Sequence, residues 1–157
     1  MFAVANPEFG YRLVYLLHIG TVLVAFAAAF VHPRLGGLAK RLPGDAASAL
    51  NQTIVNGSMK IHFPALVLAG LLGSAMIPMS TVGDDAIYEF SQMWISLAYL
   101  VWFAMLGILF FLMLPAERAL VTDPGDTGAQ KKVGMFGGIL HLLLLVMLVL
   151  MVWKPGL

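Results

Sequence analysis

Four histidines, His18, His32, His62 and His141, are the side chains of this 157-residue sequence best suited to ligand or proton chemistry. Imidazole is a good ligand for haem iron, copper or zinc. Each histidine lies in or beside a long apolar run. An ionisable group inside a bilayer is costly there and points into a helix bundle or a wet cavity. The interiors of those runs hold no Asp, Glu, Lys or Arg, so a proton pathway is expected to lack its usual carboxylates. The chain has no cysteine, which excludes disulfides, thiolate metal sites, iron–sulfur clusters and covalently attached c-type haem.

Spacing adds neighbours to the histidines. Projected at about 100° per residue, Ala25, Ala29 and His32 fall within roughly 40° of His18. His62 shares a stripe with Ala65, Ala69, Gly73 and Met76, and His141 follows Gly134, Gly137 and Gly138 on one face. A histidine beside a strip of tiny side chains is what a flat porphyrin needs to enter between helices. The same strips also occur wherever membrane helices pack closely, with no cofactor present. A rise of 1.5 Å per residue places His18 roughly 10 Å, and His141 roughly 18 Å, below the same face of the membrane. This makes them the favoured axial pair for one haem iron. His32 and His62, near the opposite face, form a second candidate pair. Met76 is the best methionine candidate for a secondary metal site with His62, since thioether sulfur ligates haem iron or Cu(I). Most of the ten methionines are expected to fill gaps in a bundle. Arg34 and Lys60, with Arg41, cluster at one mouth, where they would meet anionic lipid or the propionates of a haem.

The elements that carry these residues follow from composition. The chain is 61% hydrophobic and 11% charged, which suits a protein whose solvent is largely lipid. Spanning the hydrocarbon takes roughly 20 apolar residues, and four segments qualify: about 11–31, 60–78, 91–114 and 133–153. The first lacks the basic n-region of a secretory signal and is expected to be retained. Pro33, Pro78 and Pro115 stand where helices are expected to stop. The connection 32–59 is expected to hold a short interfacial helix, capped by Asp45. Arg34, Lys40 and Arg41 lie in that connection with Lys60 at its end, and Arg118, Lys131 and Lys132 follow Leu114. Only Arg12 and Lys154 lie on the other side. The positive-inside rule therefore predicts both connections cytoplasmic and both termini outside. On that side the sequons at Asn51 and Asn56 would be inert. The tryptophans are expected in interfacial belts. A net charge of +1, with no basic run, gives no sign of nucleic-acid binding. The expected fold is a single all-α, four-transmembrane-helix bundle, N-out and C-out.

Three stretches resemble a known family. The run "LLHIGTVLVAFAAAFVHPRL" is similar to the first helix of HemJ-type protoporphyrinogen oxidases, where an embedded Leu-His-Ile precedes a terminal Pro-Arg-Leu. "MKIHFPALVLAGLLGSAM" resembles their second helix, and "LLLLVMLVLMVWKPGL" their closing helix with its Lys-Pro signature. The likeness extends to the CopD-like four-helix membrane proteins of copper resistance. It implies b-type haem, with His18 at the family's essential histidine and Arg34 at its Pro-Arg arginine. It also implies protoporphyrinogen IX oxidation, with electrons passed to the respiratory chain. The third helix departs from the pattern: "WISLAYLVWFAMLG" has Ala98 where the family has a lysine, and no histidine.

The combined expectation is a multi-pass protein of a bacterial inner membrane that binds b-type haem. The cofactor-binding set is His18, His141, His62, His32, Arg34 and Lys60, and the role is electron transfer or tetrapyrrole oxidation. Expected partners are membrane lipid, a quinone or respiratory-chain component, and further copies of the chain or a larger complex. The rival readings are a HemJ-like oxidoreductase, a copper-handling protein using His and Met, and a non-catalytic accessory subunit of a respiratory or photosynthetic complex.

Overall fold

The computed structural model describes residues 9–82 and 85–156. Four helices are long and apolar enough to cross a membrane: Phe9–Ala39, Gly44–Met76, Met93–Thr122 and Thr127–Trp153. The protein is an all-α, multi-pass membrane bundle. By segment, α1 is Phe9–Ala39, and α2 (Gly44–Gly57) passes through a wide π turn at Ser58–His62 into α3 (Phe63–Met76). Similarly α4 (Met93–Gly107) passes through a π turn at Ile108–Met113 into α5 (Leu114–Thr122), and α6 is Thr127–Trp153. A two-residue antiparallel ribbon, β1 (Thr81–Val82) with β2 (Asp85–Ala86), lies in the connection from α3 to α4.

The helices are longer than the apolar runs within them. Lengths of 27–33 residues give about 40–50 Å, against a hydrocarbon thickness of about 30 Å. The excess lies at the basic end, where the last turns of α1, all of α2, α5 and the start of α6 carry the bundle past the hydrocarbon. The expected connection at 32–59 is therefore mostly helix, continuous with the spans on either side. Asp45 falls in the first turn of α2, after a Pro43 cap, and does not itself cap the helix.

Two of the three prolines expected to end helices do not. α1 runs through Pro33, and its buried stripe of Ala25, Ala28, Ala29, His32 and Ala39 continues on both sides of the ring. Packing along that stripe offsets the one backbone bond that proline forfeits. Pro115 follows a π turn, as does Pro64 in the preceding span. In both places the residue before the proline bonds five residues back, Phe63 to Ser58 and Leu114 to Leu109. Widening the turn draws the carbonyl four residues back away from the proline ring. Pro78 lies in the turn that follows α3, where a stop was expected.

α1 packs along α2 and α3, α2 along α5, and α6 along α4 and α5, while α1 and α6 touch over a short stretch. The core is Ala29, Leu66, Met105, Leu109, Met113, Leu140 and Leu144. Lipid is as apolar as these side chains, so association rests on close packing and interhelical hydrogen bonds. Trp94 and Trp102 take part in that packing: Trp94 is buried, and Trp102 donates its indole N–H to the Leu66 carbonyl at 2.8 Å. Trp153 alone of the three is fully exposed.

α6 starts at a cap that fixes one wall of the site described below. The Asp126 carboxylate accepts from the N–H groups of Gly128 (2.8 Å) and Ala129 (3.0 Å). Asp126→Ala should cost about 1 kcal/mol and fray this end. Hydrogen exchange at the amides of residues 128–130 checks it. Exchange unchanged from wild type would show that the cap does not hold the helix start.

Candidate functional site

His18 sits in the seam between α1 and α3. Its Nδ1 lies 2.8 Å from the Ala69 carbonyl oxygen. A carbonyl only accepts, so Nδ1 carries the proton and Nε2 is left with a bare lone pair. The ring lies over Gly73, where an added Cβ would stand 3.2 Å from its Cε1. The stripe of small residues on α3 therefore makes room for the imidazole of α1. His18 is half-buried, and Nε2 makes no hydrogen bond among the described residues.

The other three histidines gather toward the basic end. His32 and His62 meet edge to face, with ring centroids 5.9 Å apart. Nδ1 of His32 is 3.2 Å from the Ser58 hydroxyl, which the π turn brings inward. The other edge of His32 lies over Gly57, where a Cβ would stand 2.6 Å from Nε2. His62 is only 2% exposed, and its Nδ1 has no hydrogen-bond partner. His141 donates Nδ1–H to the Gly137 carbonyl one turn back, at 2.7 Å, and packs 4.9 Å from the Phe30 ring. All three line one small void with Ala29, Met113 and Leu140.

This cluster opens into a cavity of about 310 Å³ between α1, α2, α5 and α6. His32 and His141 form its inner end, and Lys40, Pro124 and Gln130 also line it. Gly36 and Gly37 of α1 and Gly134, Gly137 and Gly138 of α6 line it as well. At none of these five would an added Cβ meet another atom within 4 Å. That separates them from Gly57 and Gly70, which neighbouring side chains already fill. The α6 glycines thus face open space and do not serve helix contact.

Several expected groupings are not formed. His18 engages α3 and does not line the cavity, whereas His141 sits with His32 and His62. The favoured axial pair is therefore divided between two places. Met76 shares a helix face with His62 but lies 14 residues further along, about 21 Å, too far for one metal. Arg34 and Lys60 are exposed and do not line the cavity; Lys40 does. Among the described residues, no group of three or more His, Asp or Glu side chains is placed to hold a metal ion.

The largest correction concerns acidic groups. Glu117 is 2% exposed, lines the cavity, and has no hydrogen-bond partner for either carboxylate oxygen. Ser58 is the polar side chain beside it; its hydroxyl lies 3.2 Å from His32 Nδ1 and is also, among the described residues, the one donor close enough to act on the carboxyl group. Asn51 is another inward polar residue. It is buried, lines the same cavity, and donates its amide to the Leu120 carbonyl at 2.9 Å. Periodicity held the signal for Glu117. Residues 109, 113, 116, 117 and 120 make one buried stripe across the proline. A helix assumed to stop at Pro115 leaves Glu117 in a loop.

In comparisons with protein-family models, curated proteins and solved structures, the chain matches none.

Proposed function

We propose that the chain carries a b-type haem on His18 and serves electron transfer or tetrapyrrole oxidation in a bacterial inner membrane, with its basic end cytoplasmic. The observation that carries this reading is the state of the His18 ring. Nδ1–H is fixed by the Ala69 carbonyl, and the bare Nε2 has no hydrogen-bond partner among the described residues. Bilayer hydrocarbon offers no water to satisfy that nitrogen. A ring steadied through Nδ1 by a backbone carbonyl, with Nε2 free, is the arrangement of metal-ligating histidines. Ala69 and Gly73 keep the side chains beside the ring small. The donor type fits haem iron. Bound there, haem would supply one-electron chemistry. His141 lies in the histidine cluster at the basic end and is not placed to share a haem with His18. A quinone or respiratory-chain component is the matching electron partner. The HemJ-like reading uses the same histidine and adds protoporphyrinogen as substrate.

A reduced-minus-oxidised absorption spectrum of protein purified from haem-replete cells tests this. The expected result is a b-type α-band that His18→Ala abolishes and His141→Ala leaves in place. Protein without haem, or haem retained in His18→Ala, overturns the reading. Protoporphyrinogen turnover with added quinone then separates the oxidase from a plain electron carrier.

A further inference from the structure

The cavity at the basic end is lined by a buried carboxyl group, Glu117, that has no counter-ion among the described residues. A carboxyl group taken out of water is normally hydrogen-bonded or paired, because leaving it bare costs several kcal/mol. Neither oxygen of Glu117 makes a well-formed hydrogen bond among the described residues, and Ser58, the one hydroxyl beside it, is shared with His32. The Asn51 amide donates to Leu120, and the Arg118 guanidinium lies 3.9 Å from the Met59 sulfur. Lys40 lines the cavity but makes no ion pair among the described residues. Much of the cavity wall is apolar, from Ile54, Met113, Leu120, Val133 and the open glycines of α6, with Asn51, Gln130 and two histidines also lining it. A volume of about 310 Å³ is within the range of small-molecule sites.

We propose that this cavity binds a small organic cation, an amidine or primary amine on an apolar body, with Glu117 as its counter-ion. A carboxylate turned into the cavity matches the two parallel N–H donors of an amidinium, the strongest geometry for such a pair. The aliphatic side chains and the bare backbone of α6 take the apolar body. An anion would be driven off by the same carboxylate, and a neutral body without donors would leave both oxygens unsatisfied. The site is separate from His18 and independent of any haem held there.

The test uses benzamidinium and its neutral counterpart benzamide as probes. Each is titrated by calorimetry into the full-length protein in lipid nanodiscs. Benzamidinium is expected to bind about tenfold tighter than benzamide or better, as a charge-assisted pair requires. Glu117→Gln should bring the ratio to about one. Gly137→Leu, which fills open space with the carboxylate intact, should abolish binding of both probes. Lys40→Met, which removes the nearby cation, should leave benzamidinium binding unchanged or tighter. Failure of benzamidinium to bind, equal affinities in the wild type, a preference that survives Glu117→Gln, unaltered binding in Gly137→Leu, or weaker binding in Lys40→Met each overturns the proposal. The haem spectrum is unaffected by any of these results, so the two readings fail separately.

Discussion

Gly70→Ala is expected to destabilise the bundle by about 2–4 kcal/mol, although it adds a single methyl group. The Trp102 indole occupies the space a side chain at position 70 would fill. A Cβ there would lie 2.1 Å from Cε2, 2.3 Å from Cζ2 and 2.5 Å from Nε1. None of these atoms is the end of a flexible chain, so the whole ring must move. Its retreat is blocked by Phe103, 4.7 Å away by ring centroid, and by Tyr99 at 6.2 Å. Moving it also breaks the indole N–H bond to the Leu66 carbonyl, leaving a donor with no water to turn to. Overpacking alone costs about 1–3 kcal/mol, and the lost bond about 1 kcal/mol more. Denaturant unfolding in detergent, followed by tryptophan emission, measures the sum. A double-mutant cycle with Trp102→Phe should return about half of the loss or more, since the two changes act on one contact. A Gly70→Ala protein as stable as wild type would show that Trp102 does not rest on α3.

What could be read from the sequence divides along physical lines. The four spans were legible because a bilayer sets length and composition directly, and no other constraint in the chain competes with that one. Helix ends were not, because a proline costs one backbone bond, which continuous packing around Pro33 and a wide turn before Pro115 each offset. Depth counted along each helix in isolation did not carry over to the bundle. His18 and His141 were paired by that count, yet His141 packs on Phe30, 12 residues and about 18 Å further along α1 than His18. Small residues on α3 were visible as a stripe, and so were those on α6. Sequence could not say which stripe another side chain would fill. His18 settles onto Gly73, whereas Gly134, Gly137 and Gly138 meet nothing. Glu117 was hidden for a compound reason. The apolar run ends before it, yet the helix does not, so a residue assigned to water lies against Ser58 and the histidine cluster.

Glu117→Leu is expected to stabilise the protein, by about 1–3 kcal/mol, reversing the usual sign for a change at a buried position. Replacing a well-packed core residue opens a cavity or forces a clash, and most such changes cost stability. Here the native side chain is the anomaly. It is as inaccessible as Leu140 of the core, each 2% exposed, but it carries two polar atoms without a well-formed hydrogen bond among the described residues. Leucine of similar bulk would meet Leu120 and Met113, which line the same cavity, and would remove a desolvation cost borne in either protonation state. A residue that weakens the fold in this way marks a place where function is kept at the expense of stability. The measurement is unfolding of wild type, Glu117→Leu and Glu117→Gln side by side. Stability should rise most for leucine and less for glutamine, whose amide is still polar. If leucine instead costs 2 kcal/mol or more, about what breaking a buried polar pair costs, Glu117 has an internal partner. The cavity then has no unmet charge to offer a ligand. If stability rises while benzamidinium binding is lost, one carboxyl group explains both the strain in the fold and the affinity of the site.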